Sequence, residues 1–90
     1  MGRPPRNPKP RVRSPEGAFG IVLRDARNQC ALSQEVLAFK AGYHRNYISQ
    51  LERGEKSPSL RTIVNLATVL ELKPSEMLSK MERMLATSGS

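Results

Sequence analysis

The stretch from Leu32 to Gly54 constrains this chain more than any other part of it. It reads as two short helices joined at one glycine. Ser33 is placed to cap the first helix with its hydroxyl, and Gln34 and Glu35 follow in the first turn. Leu37, Ala38 and Ala41 share one face, and Gly42 supplies the positive φ of a sharp C-terminal stop. The second helix starts almost at once, with Ile48 and Leu51 about one turn apart, and stops at Gly54. Helices this short do not hold alone in water, so they must pack on each other and on neighbours.

The neighbours are legible as three more helices. One is predicted from about Glu16 to Gln29, after Pro15, with Phe19, Val22, Leu23, Ala26 and Cys30 on one face and Ile21 pointing away. The segment Gly54 to Ser59 carries turn chemistry, and Ser59 is a natural N-cap for a helix over about Leu60 to Leu70. There Leu60, Ile63, Val64, Leu66, Ala67 and Leu70 cover so broad an arc that burial on more than one side is expected. Pro74 fits the first turn of a fifth helix reaching about Leu85. The expected fold class is therefore an all-α five-helix bundle in one domain over residues 16–86, with a frayed tail at 87–90.

A chain of 90 residues has room for one small core, and its four aromatic side chains leave that core to Leu, Ile, Val, Ala and Met. No apolar run is long enough for a membrane span, and no apolar segment follows the basic N-terminus as a secretory signal would require. Cys30 is the lone cysteine, which excludes an internal disulfide and is read as a small buried hydrophobe. The net charge of +7 is uneven. Arg3, Arg6, Lys9, Arg11 and Arg13 face no acid within residues 1–15, which also hold five of the seven prolines. That composition predicts a disordered basic arm, either a solvated extension or an arm that follows phosphates or enters a minor groove. Salt dependence separates those two readings.

Leu32-Ser33-Gln34-Glu35, Leu37-Ala38, Ala41-Gly42, Tyr47-Ile48 and Leu51-Glu52-Arg53-Gly54, continued by Pro58-Ser59-Leu60, Leu66-Ala67 and Leu70, resemble the helix-turn-helix of the Xre family. That family includes the lambdoid phage repressors and the controller proteins of restriction–modification systems. The likeness spans roughly Phe19 to Leu78. It implies double-stranded DNA as partner, a recognition helix over about 45–53 in the major groove, and a cytoplasmic setting. It also implies Arg45, Asn46, Ser49 and Gln50 as base readers, and these are the residue types that match base edges: Arg to guanine, Asn or Gln to adenine, Ser to either. Arg53 lies on the same side of the helix. By the same resemblance Gln34 clamps a phosphate at the second helix's N-terminus, and Arg27 pairs with Glu52 to tie the first helix to the third. His44 is a candidate cap or phosphate contact, and Lys56 and Arg61 are candidate phosphate contacts across the groove.

Met77, Leu78, Met81, Met84 and Leu85 form an apolar stripe on the fifth helix that suits a second copy of the chain. Phe39 departs from the family pattern, because its face looks exposed. One His and one Cys, with no paired acids beside a nucleophile and no glycine-rich phosphate loop, argue against an enzyme, and no metal, cofactor or small-molecule ligand is implied. The expectation is a homodimeric transcriptional regulator, such as a repressor, on an inverted-repeat operator. The alternative is an antitoxin-like protein-binding module that binds DNA mainly to regulate itself.

Overall fold

The computed structural model describes residues 14–88, and within them the order is α1 (Pro15–Gln29), α2 (Gln34–Ala41), α3 (Arg45–Glu52), α4 (Leu60–Val69) and α5 (Pro74–Ser88). The basic arm expected over residues 1–15 lies outside the described residues except for Ser14 and Pro15. Ser14 caps α1, its Oγ accepting from Gly17 N at 2.9 Å, with proline in the first helical turn. Ser33 and Ser59 do the same for α2 and α4, each accepting from the N–H three residues on at 3.0 Å. At α5 the Glu76 carboxylate reaches back to Lys73 N at 2.7 Å, satisfying a donor the helix leaves open.

Four helix ends close by the same device. Leu32 N bonds Arg27 O at 3.1 Å, Tyr43 N bonds Ala38 O at 2.8 Å, Glu55 N bonds Gln50 O at 2.9 Å and Leu72 N bonds Ala67 O at 2.9 Å. Each such six-residue closure requires a left-handed residue just before the donor. Gly42 and Gly54 fill that position at φ 82° and 74°, but after α1 and α4 it falls to Ala31 at 57° and Glu71 at 59°. Leu32, Tyr43 and Leu72 then turn their side chains onto the core.

The core is drawn from all five helices. Phe19, Leu23, Leu37, Ile48, Leu51, Leu66 and Met77 are its largest fully buried members. α1 packs on α3 and α5, and α2 packs on α3 and α4. The approach of α1 to α3 is so close that a Cβ on Gly20 would lie 2.5 Å from Leu51 O and 2.6 Å from Glu52 O. A Cβ on Gly54 would meet Gly17 Cα at 2.9 Å. Gly20 and Gly54 therefore let the backbone of α1 touch the end of α3 and the turn after it where side chains would hold them apart.

Several expectations need correction. Cys30 is exposed, because it sits at the C-cap where the chain leaves the helical path. Leu60 and Val64 are 80% and 49% exposed. They lie one turn apart on α4, and the buried position beside them is taken by Thr62. α5 continues to Ser88 instead of ending near Leu85, with Thr87 Oγ1 donating to Arg83 O at 2.8 Å. Residues 89–90 of the expected tail lie outside the described residues. Met77 is fully buried in the protomer's own core and is therefore unavailable to a second copy.

Gly20→Ala should lower stability in urea unfolding by about 2 kcal/mol, since overpacking against two backbone oxygens outweighs the ~1 kcal/mol gained in helix propensity.

Candidate nucleic-acid interface

Helix α3 turns Ile48 and Leu51 inward, leaving its other side to polar residues. His44, Arg45, Asn46 and Arg53 are exposed, and Ser49 and Gln50 are half-buried at the edge of the same surface. His44 occupies the N-cap but makes no capping hydrogen bond with its side chain. Lys56 and Arg61 stand exposed in the following loop and in the first turn of α4.

A polar chain anchors this helix at both ends. Arg27 of α1 grips Glu52 with two parallel bonds, Nε to Oε2 at 2.6 Å and Nη2 to Oε1 at 3.0 Å. Its third donor, Nη1, reaches Leu32 O at 2.9 Å. The fork of the guanidinium matches the two carboxylate oxygens, which makes the contact geometrically specific. The hydrogen bond to Glu52 raises the Arg27 pKa above its ordinary value, against the opposing effect of burial. The pair is well covered, with side-chain exposures of 12% and 4%.

Gln34 extends the chain. Its Nε2 donates to Glu52 Oε1 at 3.0 Å, and its Oε1 accepts from Arg45 Nη1 at 3.2 Å. The residue expected to clamp a phosphate thus lies half-buried between the two ends of α3. Arg53, at the C-cap, is similarly engaged: Nε and Nη2 donate to Glu55 at 2.8 and 3.1 Å, and Nη1 to Ser49 Oγ. Those hydrogen bonds raise the Arg53 pKa and lower that of Glu55, but both groups are solvated and the pair adds little to stability. Among the described residues, Asn46 and Gln50 spend neither amide on another protein group.

A second polar cluster escaped the sequence reading. The Tyr43 and Tyr47 hydroxyls lie 3.4 and 3.3 Å from Thr62 Oγ1, Ser59 Oγ lies 3.0 Å from the same atom, and Asn65 Nδ2 donates to Tyr43 OH at 2.9 Å. The two rings are 5.2 Å apart, tilted by 54°. No pattern of residue types in this segment marks a buried hydroxyl on α4 as the meeting point of two tyrosines.

Among the described residues, no group of His, Cys, Asp and Glu side chains is arranged to hold a metal ion, and no helix is long and apolar enough to cross a membrane.

The sequence matches the family described as Helix-turn-helix over residues 23–77, the segment that contains α2, α3 and α4. The chain belongs to the Xre-type helix-turn-helix family. It is 39% identical over 61 residues to the control protein C.BamHI of Bacillus amyloliquefaciens, covering 67% of this chain and 75% of that protein. Among solved structures it is similar to the restriction–modification controller protein C.AhdI of Aeromonas hydrophila, at 45% identity and a TM-score of 0.65 over 67% of this chain and 91% of that one. It also resembles the DNA-binding domain of the P22 C2 repressor, at 28% identity and a TM-score of 0.65 over 67% and 79% of the two chains. The chain is a DNA-binding helix-turn-helix transcription regulator, with controller proteins among its homologues.

In this regulator the covered ion pair is mainly a constraint on geometry, since the cost of desolvating two charges offsets much of their attraction. Arg27→Met should lower stability by about 3–5 kcal/mol in chemical denaturation, because it strands the Glu52 carboxylate. The pair Arg27→Met with Glu52→Leu should recover most of that loss.

Proposed function

We propose that this regulator is a controller-type protein that binds an inverted-repeat operator as a homodimer, with α3 in the major groove. The observation that carries the reading is the state of Asn46 and Gln50. They stand one turn apart on α3 with both amides uncommitted among the described residues, while the helix beneath them is fixed at each end. An amide presents a donor and an acceptor side by side, the pattern that pairs with adenine in the major groove. Arg45 adds a cation at the same surface, and Arg61 and Lys56 supply phosphate contacts that set the protein's register on the duplex. Gln34 contributes by holding Arg45 and Glu52, and Ser49 and Arg53 form a second, more exposed contact at the helix end.

Selection of bound sites from random duplex DNA tests this. Asn46→Ala or Gln50→Ala should relax the preference at one or two positions per half-site, costing about 1–3 kcal/mol on the preferred sequence. Arg61→Ala should weaken all sequences alike. An unchanged preference in both α3 variants would sink the recognition assignment.

Pairing of two copies draws on the apolar side chains left outside the core. The half-buried Leu78 and Met81 border one shallow depression beside Pro58, together with Ile63 of the core. Leu60 lies one turn before Ile63 on α4, and Leu85 one turn after Met81 on α5. With Met84, these residues make a band that a second copy can cover, placing half-site centres about 10 bp or a multiple apart. Leu60→Glu and Leu85→Glu should each lower the dimer population in sedimentation and weaken operator binding at fixed monomer concentration. Retention of the dimer with both replaced would place the interface elsewhere.

A further inference from the structure

We infer that Thr62 is a positioning residue for the recognition helix, setting the rotation of α3 about its own axis and hence its sequence discrimination. The inference rests on the proposed reading of α3. Thr62 is a polar residue in the interior, 5% exposed. Its hydroxyl owns one proton and two acceptor positions. Three other hydroxyls crowd around it: Ser59 at 3.0 Å, Tyr47 at 3.3 Å and Tyr43 at 3.4 Å.

Counting protons orients the cluster. Tyr43 OH accepts from Asn65 Nδ2 and donates to Thr62. If Tyr47 also donates, both acceptor positions of Thr62 are filled and its own proton goes to Ser59 Oγ. Ser59 Oγ in turn accepts the Thr62 N–H that begins α4. Every hydrogen-bonding position of the Thr62 hydroxyl is then used, so the arrangement tolerates one geometry. Tyr43 lies in the turn before α3 and Tyr47 in its first turn, next to Asn46. Any rotation of α3 carries the Tyr47 phenol away from Thr62 and moves Asn46 and Gln50 by the same angle. The far end of the helix is held by Glu52 and the near end by the exposed Arg45–Gln34 bond at 3.2 Å, to which the Thr62 junction adds a buried constraint.

Binding is compared on two duplexes of equal length, the site selected from random DNA by the unaltered chain and a scrambled version of it. Thr62→Val keeps the side chain's shape and removes its hydroxyl. It should lower affinity for the selected site about five- to tenfold, the worth of one or two hydrogen bonds, and leave the scrambled duplex unchanged. Thr62→Ser, which restores the hydroxyl, should recover discrimination. Tyr43→Phe keeps the ring and should lose discrimination in the same direction, with no further loss when combined with Thr62→Val. Equal losses on both duplexes, or failure of Thr62→Ser to rescue, would overturn the inference. Asn46→Ala run in parallel isolates the two claims. If it relaxes the preference while Thr62→Val and Tyr43→Phe do not, only the positioning role fails. If it leaves the preference intact, the recognition reading fails.

Discussion

The bidentate contact between Arg27 and Glu52 is the interaction on which the arrangement of this protein turns. An eight-residue helix such as α3 has too few hydrogen bonds to hold itself. Its two fully buried side chains, Ile48 and Leu51, fix its depth in the core but not its orientation. The guanidinium–carboxylate pair adds direction, because its two parallel bonds exist only when α1 and α3 meet at one angle. Arg27 also holds the carbonyl of Leu32 at the start of the turn into α2, and Glu52 holds Gln34 at the head of α2. One ion pair therefore fixes three helices relative to each other, and removing either partner leaves a covered charge that solvent cannot reach.

The glycines work with this pair. Gly20 and Gly54 let α1 meet the end of α3 and the turn after it at a distance that a single methyl group would forbid. Backbone contact at that range tolerates little sliding, and the polar contact tolerates little rotation. Both limits act on the same pair of helices.

How far the sequence foretold the structure depended on whether each feature is local. The serine caps at 33 and 59, the left-handed glycines at 42 and 54 and the inward face of α3 follow from short-range chemistry, and they were readable. The failures involve distant partners. Cys30 shares the helical periodicity of Phe19 and Ala26, yet the helix ends beneath it and the residue is exposed. Leu60 and Val64 are apolar at helical spacing, but spacing cannot say which side of α4 has a neighbour. The stripe on α5 was visible as a stripe, whereas the burial of Met77 within one protomer depends on how α5 crosses the rest of the bundle. The tyrosine–threonine cluster requires knowing that positions 43, 47 and 62 converge, and no periodicity records that. Ala31 and Glu71 adopt the left-handed conformation without being glycine, so the composition cue for those turns was missing as well.

The division of labour within α3 bears on how such a protein diversifies. The residues that hold the helix, Ile48, Leu51 and Glu52, are separate from Asn46 and Gln50, whose amides make no bond to another protein group among the described residues. Substitutions at those two positions have little in the bundle to disturb. On the proposed reading of α3, a new DNA preference is therefore reachable through single changes at nearly constant stability, and two copies of such a gene can drift toward different sites without passing through an unfolded intermediate sequence.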